Sequence, residues 1–452
     1  MTETETLPAG ADTAGWAGHP RGLSTLFFTE MWERFSYYGM RAFLILYMVA
    51  PAAAGGLGLS DAHAASIYGT YTGSAWGAAI LGGLAADRLL GQYNAVFLGG
   101  TVIALGHFTL AFKALWSFYA GLALIVVGTG LLKPNVSILV GSLYEQGDPR
   151  RDSGFSLFYM GINSGALIGP LIAGYLAQRV DWHAGFAAAG VGMALGLTQY
   201  WLGRSRLATG MSRLAAENAE RRRQRAEAVR GAQPAPAFTA AEWKRLVVIV
   251  ILFVFASLFW GAYEQAGSTL NLFADRYTRL SVLGWKFPSS WLQSVQPIFV
   301  VILAPVFAWL WRWLGRHEPS SPAKFGFGLL FVGLAFLLLV PAGAMAQNAG
   351  IKVSPFWLVW AYFITELGEL CLSPVGLSVV TKLSPARVVG LMMGVFFLSN
   401  AAGNKLAGWA AGFFSTTPLA TLFGTVAAVT IGASAVLFLL VPSIRRLMGG
   451  IH

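Results

Sequence analysis

The chain has 452 residues, of which 56% are hydrophobic and only 11% are charged; this balance excludes a soluble globular domain and predicts an all-α polytopic membrane protein. The formal net charge of +11 could suggest nucleic-acid binding, but the basic residues lie mainly in loops between apolar segments, where they determine membrane topology. The single cysteine, Cys371, lies in an apolar segment and cannot form a disulfide within the chain.

The predicted elements begin with a polar N-terminal tail, residues 1–22, which lacks the apolar core of a cleaved signal sequence. Twelve apolar segments follow, each near the length of about 20 residues that crosses a bilayer as a helix. These predicted spans are 23–49, 62–86, 93–113, 116–141, 154–178, 184–203, 245–274, 290–314, 324–345, 354–381, 388–414 and 418–442. A polar connector, 204–244, separates an N-terminal six-helix bundle (23–203) from a C-terminal one (245–442), and a cytoplasmic tail (443–452) ends the chain.

Charged and aromatic residues interrupt the first span between Glu30 and Gly39. At about 100° per residue, one side of this helix carries a stripe made of Glu30, Glu33, Arg34, Tyr37, Tyr38 and Arg41. One charge at the bilayer centre costs at least about 2.5–3.5 kcal/mol. We therefore expect the stripe to line a water-filled cavity; the alternative is a structural Glu–Arg pair that locks two helices together.

Lysine and arginine are distributed unequally over the predicted loops. If the N-terminus is cytoplasmic, the cytoplasmic loops hold roughly three times as many basic residues as the outer loops. The distribution therefore predicts that both termini are cytoplasmic. We expect a multi-pass plasma membrane protein, located in the inner membrane if the source is bacterial.

Two six-span halves joined by a long cytoplasmic connector resemble the major facilitator superfamily, in which the substrate binds between the halves near the membrane midplane. Residues 83–91, between spans two and three, resemble the short cytoplasmic loop motif of that superfamily. In this motif an Asp–Arg pair helps to latch the halves together. The resemblance therefore assigns Asp87 and Arg88 to gating.

Few other charged residues lie deep in the predicted spans; they include Lys133 in span four, Glu264 in span seven, and Glu366 and Glu369 in span ten. Pro374 follows in span ten, where it can interrupt the hydrogen bonds and open the helix locally. Membrane-embedded cations thus predominate in one half and carboxylates in the other, which suits a zwitterion with separated charges. An extended chain advances about 3.3–3.6 Å per residue, so a di- or tripeptide would bridge such charges better than a single amino acid.

The segment from Glu30 to Gly39 is similar to the E-x-x-E-R-F-x-Y-Y-G signature of proton-coupled oligopeptide transporters. Blocks that resemble the same family extend over nearly the whole chain, at residues 133–135, 158–163, 259–265, 297, 369–377, 392–394 and 403–404. Three residues depart from the family pattern: Gln296 replaces the usual Asn, Trp76 a tyrosine, and Phe396 a tryptophan. These departures concern selectivity for peptide side chains and not the binding of peptide ends.

The resemblance implies a proton-driven importer of di- and tripeptides that works by alternating access. The residues it assigns to substrate binding are Arg34, Tyr37, Tyr38, Tyr71, Trp76, Lys133, Asn163, Gln296, Glu369 and Ser373. Of these, Arg34 and Lys133 would bind the peptide carboxylate and Glu369 the amine. The residues assigned to proton coupling are Glu30, Glu33 and Glu264.

An outer gate is predicted from positions along the spans. Arg41 lies two turns beyond Arg34, about 10.5 Å nearer the outer side, and Glu264 lies midway along span seven. We therefore expect a salt bridge between Arg41 and Glu264 that forms when the outer side closes. The alternative is a permanent structural pair.

Two other functions are compatible with this fold: proton-coupled transport of nitrate or another small anion, and non-transporting nutrient sensing. The intact first-span motif and Glu369 argue against the anion, and the lack of a large extra cytoplasmic domain argues against the sensor. An enzyme is not expected, since neither Gly-x-Ser-x-Gly nor His-Glu-x-x-His occurs. The expected partners are small peptides, protons and the lipid bilayer, without nucleic acid, metal or cofactor, and the expected state is a monomer.

Overall fold

The computed structural model of the chain describes residues 12–145, 147–230, 238–385 and 388–449. Its α-helices are α1 (Gly22–Val49), α2 (Asp61–Ala85), α3 (Gln92–Leu110), α4 (Leu115–Ser142), α5 (Arg151–Gly169), α6 (Tyr175–Arg179), α7 (Trp182–Leu202), α8 (Ala208–Arg230), α9 (Ala240–Tyr263), α10 (Thr269–Tyr277), α11 (Val295–Leu314), α12 (Ser321–Asn348), α13 (Phe356–Leu383), α14 (Val389–Ala411) and α15 (Leu419–Met448). Short 3₁₀-helices lie at Trp16–Gly18, Ala52–Ala54, Arg204–Leu207, Glu264–Gly267, Ser289–Ser294 and Gly315–His317, and π-helical turns at Ala86–Leu90 and Pro170–Gly174.

A small antiparallel hairpin follows α10. Its strands, β1 (Ser281–Val282) and β2 (Trp285–Lys286), pair Ser281 with Lys286 and Val282 with Trp285. The two turn residues, Leu283 and Gly284, have φ values of 49° and 85°, as a type I′ turn requires. The hairpin lies in the loop that the predicted topology places on the outer side.

Each of the twelve predicted spans lies mainly on helical residues of the described chain. Among the described residues, eight helical segments are long and apolar enough to cross a membrane. The other four predicted spans lie on α1, α2, α7 and α14, which contain 28, 25, 21 and 23 residues. The all-α membrane fold is thus confirmed, and the count of twelve spans is consistent with the helices.

The chain clusters into two compact units. The first contains the described residues up to Gly39, together with Ala78–Gly169 and the segment from His183 to the end of α8. The second contains Met40–Gly77, Pro170–Trp182 and the described residues from Phe238 onward. The second part of α1, the first part of α2, and α6 with the π-helical turn before it therefore pack with the helices that follow the connector.

The polar connector contains α8, which is held against the helices of the first unit. Arg213 forms an ion pair with Glu145 at 2.6 Å and donates to the carbonyl oxygen of Leu143 at 3.3 Å, directly after the end of α4. The guanidinium thereby satisfies a carbonyl group that the helix end leaves without a partner. The connector helix α8 is therefore packed against the end of α4.

The seventh predicted span is not one continuous helix. It breaks after Tyr263, passes through the 3₁₀ turn Glu264–Gly267, and resumes after Ser268, whose φ and ψ are −122° and −88°. In contrast, α13 continues through Pro374, so the predicted opening of this helix is wrong. A proline removes one backbone donor, and the remaining hydrogen bonds keep the helix continuous.

Candidate functional site

Glycines allow two neighbouring helices to approach the charged stripe of α1 closely. The glycines of α5 that face α1 are Gly161, Gly165 and Gly169. A β-carbon on Gly165 would lie 2.1 Å from the carbonyl oxygen of Met31 and 2.8 Å from Cβ of Arg34, and one on Gly192 of α7 would lie 2.4 Å from the ring of Phe35. Such small-residue contacts bring membrane helices to backbone distance. Packing against α5 and α7 therefore fixes the position of Arg34.

We expect Gly165→Ala to destabilise the protein. The added methyl group would overlap the Met31 carbonyl oxygen, and overpacking of a tight contact costs about 1–3 kcal/mol. The matched control is Gly77→Ala, at another helical glycine where a β-carbon would meet no atom within 4 Å. Thermal unfolding in detergent, followed by tryptophan fluorescence, should show a lower midpoint for Gly165→Ala alone; equal midpoints would contradict the close α1–α5 contact.

Arg34 is the centre of a buried ion cluster in the first unit. Its Nε lies 3.2 Å from Oε1 of Glu30 and donates a hydrogen bond to Oε2 of Glu33. The exposed fractions of Arg34, Glu30 and Glu33 are only 4%, 3% and 1%. The guanidinium lies 5.3 Å from the ring centre of Tyr37 and 6.0 Å from that of Tyr38, both within cation–π range. Two carboxylates therefore share one guanidinium in this cluster.

Three polar atoms of the same cluster make no hydrogen bond among the described residues. They are Nη2 of Arg34, Oε2 of Glu30 and Oε1 of Glu33. Lys133 of α4 is partly buried and interacts electrostatically with Glu30. Asn163 of α5 is buried, and its side-chain amide donates to a backbone carbonyl one turn earlier at 2.9 Å. The structure thus brings two predicted carboxylate-binding cations and both predicted proton-coupling residues of α1 into one unit.

A cluster of carboxylates lies in the second unit. Glu366 of α13 is fully buried, and its Oε1 accepts hydrogen bonds from the hydroxyl of Tyr263 and from Nε2 of Gln296, both at 3.0 Å. Glu369 interacts electrostatically with Glu366 and Glu264. Within the described ranges, neither Glu366 nor Glu369 forms an ion pair with Lys or Arg. The cluster therefore offers acceptor oxygens to a cationic ligand.

The remaining predicted substrate-binding residues of the second unit lie on α2, α11 and α13. Ser373 follows Glu369 by four residues and so shares its face of α13. Tyr71 is buried in α2, and the ring of Trp76 stacks on Phe397 of α14 at 6.2 Å. Gln296 orients Glu366 through its hydrogen bond. No group of three His, Cys, Asp or Glu side chains in the described part of the chain is arranged as a metal site.

Arg41 and Glu264 form the predicted ion pair within the second unit. Nη2 of Arg41 lies 2.6 Å from Oε2 of Glu264, and its Nε donates to the hydroxyl of Tyr68 at 2.7 Å. Both charged side chains are buried. A β-carbon on Gly267 would lie 1.9 Å from the Tyr68 hydroxyl, so only glycine fits there. The pair thus links α1 and α2 to the break between α9 and α10.

Two further polar links hold α10, and sequence analysis does not predict either of them. Arg276 forms a bidentate ion pair with Asp61 of α2, with N–O distances of 2.6 and 2.7 Å, and Ser415 donates to the same carboxylate. The amide of Gln178 in α6 donates to Asp275 at 3.3 Å. Opposite charges at the predicted outer ends of spans two and seven were the signal for the first link. The two links connect α10 to α2 and α6 within the second unit.

Breaking the Arg41–Glu264 pair should open the predicted outer gate. In a Cys371→Ser background, the reporter is a cysteine replacing Ser268, which is fully buried beside the break. We expect Glu264→Gln to raise labelling of this cysteine by a membrane-impermeant maleimide several-fold, because the neutral amide pairs more weakly with Arg41. The control Glu318→Gln also removes a carboxylate from an ion pair, with Lys324, and should leave labelling unchanged. Equal labelling in both variants would favour a permanent structural pair.

Asp87 and Arg88 lie in the π-helical turn that ends α2, and both side chains are exposed. Oδ1 of Asp87 accepts a hydrogen bond from Nε2 of Gln92 at 2.8 Å, and the oxygen of the same amide accepts one from Asn218 of α8 at 3.3 Å. The predicted gating motif is therefore connected to the connector helix within the first unit. Its role as a latch stays a prediction.

Comparisons with known proteins agree with the first-span motif. The chain matches the PTR2 model of the POT family over residues 93–213 and 225–429. It is 39% identical to the peptide transporter YePEPT of Yersinia enterocolitica over 99% of this chain and 98% of that protein, and 36% identical to a di-/tripeptide transporter of Lactococcus lactis over 96% and 98%.

Solved structures give the same result. A crystal structure of a peptide transporter POT in complex with sulfate is 40% identical, with a TM-score of 0.88 and 98% of each chain covered. A POT family transporter in complex with 5-aminolevulinic acid is 32% identical, with a TM-score of 0.86 and coverage of 96% of this chain and 99% of that one. The chain therefore belongs to the POT family, the proton-coupled oligopeptide transporters.

Proposed function

We propose that this protein is a symporter that imports di- and tripeptides together with protons. The segregation of buried charge carries this proposal: Arg34 and Lys133 belong to the first unit, whereas Glu366 and Glu369 of the second have no cationic partner among the described residues. The ends of a peptide zwitterion complement these groups. Relatives named as peptide and di-/tripeptide transporters support the assignment. So does the relative that holds 5-aminolevulinic acid, a molecule with an amine and a carboxylate at opposite ends.

The peptide carboxylate is bound by Arg34 and Lys133. Nη2 of Arg34 makes no hydrogen bond among the described residues and can donate to the ligand as a charge-assisted bond. The peptide amine is bound by Glu369, while Glu366 is already held by Gln296 and a tyrosine hydroxyl. In this assignment Gln296, where the family usually has Asn, supports a carboxylate and so influences amine binding indirectly.

Transport is coupled to protons because the peptide carboxylate competes with Glu30 and Glu33 for Arg34. A peptide carboxylate that binds Arg34 weakens the contacts of Glu30 and Glu33 with the same guanidinium. A buried carboxylate that loses its cationic partner is stabilised by taking up a proton. Release of the peptide restores the ion pairs and expels the proton, so substrate and proton move together. Glu264 provides a second link, because its protonation weakens the pair with Arg41 that closes the gate.

The setting follows from the same proposal. The distribution of basic residues supports a bacterial inner membrane location with both termini in the cytoplasm. We place peptide binding and proton transfer in a monomer that needs no cofactor and catalyses no chemical reaction. The coupling ion is the proton alone.

Uptake into proteoliposomes tests the function. With acid outside and a negative potential inside, labelled dialanine should accumulate above its external concentration, and a protonophore should abolish the accumulation. Labelled nitrate should not accumulate. Accumulation of nitrate without dialanine would establish the small-anion alternative, and binding of dialanine without any uptake would favour a sensor.

A further inference from the structure

A groove of about 590 Å³ lies on the first unit where α7 ends and α8 begins. The residues that line it are Trp201, Leu202, Arg204, Ser205, Ala208 and Met211. It belongs to none of the substrate, proton or gating residues described above. Its position at the end of the sixth predicted span places it at the level of the membrane surface, on the side predicted to be cytoplasmic.

One wall of the groove is apolar and accessible. Trp201 and Leu202, the last residues of α7, are 59% and 68% exposed. On a membrane-spanning chain, large apolar side chains exposed at a helix end face lipid, and tryptophan is enriched at the headgroup level. Met211 of α8 is a further apolar residue of the lining. An acyl chain fits this surface better than water does.

The lining also contains a positioned cation. The guanidinium of Arg204 lies 5.4 Å above the ring centre of Tyr93, and that ring stacks on Tyr200 at 4.8 Å with an angle of 18° between them. Among the described residues, no carboxylate forms an ion pair with Arg204. An aromatic pair therefore holds the charge in place without neutralising it. The exposed hydroxyl of Ser205 lies at the same groove.

We propose that this groove binds an anionic phospholipid. Arg204 contacts the phosphate, for which a guanidinium is suited by its planar fork of donors, and the acyl chain lies along Trp201 and Leu202. A free phosphate ion would gain nothing from contact with the apolar side chains of Trp201 and Leu202. Because the groove is formed by α7 and α8 together, a bound lipid would hold the connector helix against the first unit, beside the contact of Arg213 with Glu145.

The test measures lipid preference at the groove in the full-length protein. In a Cys371→Ser background, a bimane fluorophore on Ala208→Cys reports quenching by nitroxide-labelled phosphatidylglycerol or phosphatidylcholine in nanodiscs. One basic residue near the surface should make quenching by phosphatidylglycerol effective at an about five-fold lower mole fraction. Arg204→Gln should abolish this preference. Because Ala208 lines the groove, a fluorophore at that position can block it. The measurement is therefore repeated with a second reporter on Thr209→Cys, a residue outside the lining.

The matched control is Arg206→Gln. Arg206 lies in the same 3₁₀ turn, is also exposed, forms no ion pair among the described residues and is not part of the lining. This variant should keep the preference for phosphatidylglycerol. The same loss in both variants would reduce the effect to general surface charge and overturn the proposal. Equal quenching by both lipids at both reporters would also overturn it, as would displacement of phosphatidylglycerol by inorganic phosphate, which would indicate a site for free anions.

Discussion

Glu33→Gln should abolish accumulation of peptide against a gradient. At 100 mV, each charge moved inward contributes about 2.3 kcal/mol, which corresponds to about 50-fold accumulation. The glutamine cannot exchange a proton beside Arg34, with which Glu33 is hydrogen-bonded, so the internal-to-external ratio should fall to about one. Glu30→Gln should act in the same way. Counterflow exchange at equal concentrations should partly survive, since it requires no net proton movement.

The control for this prediction is Glu145→Gln. Glu145 also pairs with an arginine of the first unit, Arg213, at 2.6 Å, but lies outside the stripe. This variant loses the same charge and should accumulate dialanine as the wild type does. If Glu33→Gln and Glu30→Gln accumulate peptide as well as this control, the stripe does not couple protons to transport.

Peptides with blocked ends should bind much more weakly than free peptides. Amidation of the C-terminus removes the charge that Arg34 and Lys133 are proposed to bind, and N-acetylation removes the charge proposed for Glu369. Loss of one charged hydrogen bond costs about 1.5–3 kcal/mol, or about 10- to 150-fold in affinity. Competition against labelled dialanine uptake measures the effect.

A second neutral derivative, the methyl ester of dialanine, also lacks the C-terminal charge and should be equally weak. A dipeptide with a longer neutral side chain and free ends should compete well. Similar inhibition by free and end-blocked peptides would show that side chains, and not the charged ends, dominate recognition.

Charges inside an apolar helix are the part of this site that the sequence predicts best. Burial of Arg34 is so costly without partners that nearby carboxylates are expected, and a spacing of one and four residues brings Glu33 and Glu30 within reach. The structure shows both contacts. The Arg41–Glu264 pair is predicted by the same reasoning, because each of two opposite charges buried at a similar depth in the membrane is costly without the other as its partner.

Features that depend on tertiary contacts could not be predicted in this way. The break after Tyr263 contains no proline; it occurs where Gly267 admits the hydroxyl of Tyr68 from another helix. Pro374 carries the stronger local signal for a break, yet α13 continues through it. The Asp61–Arg276 pair joins loop-proximal residues 215 positions apart. Spacing along one helix therefore predicts side-chain contacts, whereas the shape of a helix depends on its neighbours.

In the proposed binding mode, opposite ends of one peptide contact Lys133 and Glu369. Equilibrium binding to the variants Lys133→Gln and Glu369→Gln can be measured with three ligands: dialanine, its C-terminal amide and its N-acetyl form. The variant Lys133→Gln should weaken dialanine about ten-fold but leave the amide unchanged, and Glu369→Gln should do the same for the N-acetyl form, because a partner already removed cannot be lost twice. The crossed combinations should lose affinity additively. Additive losses in the matched combinations would contradict the assignment of the peptide ends to these two residues.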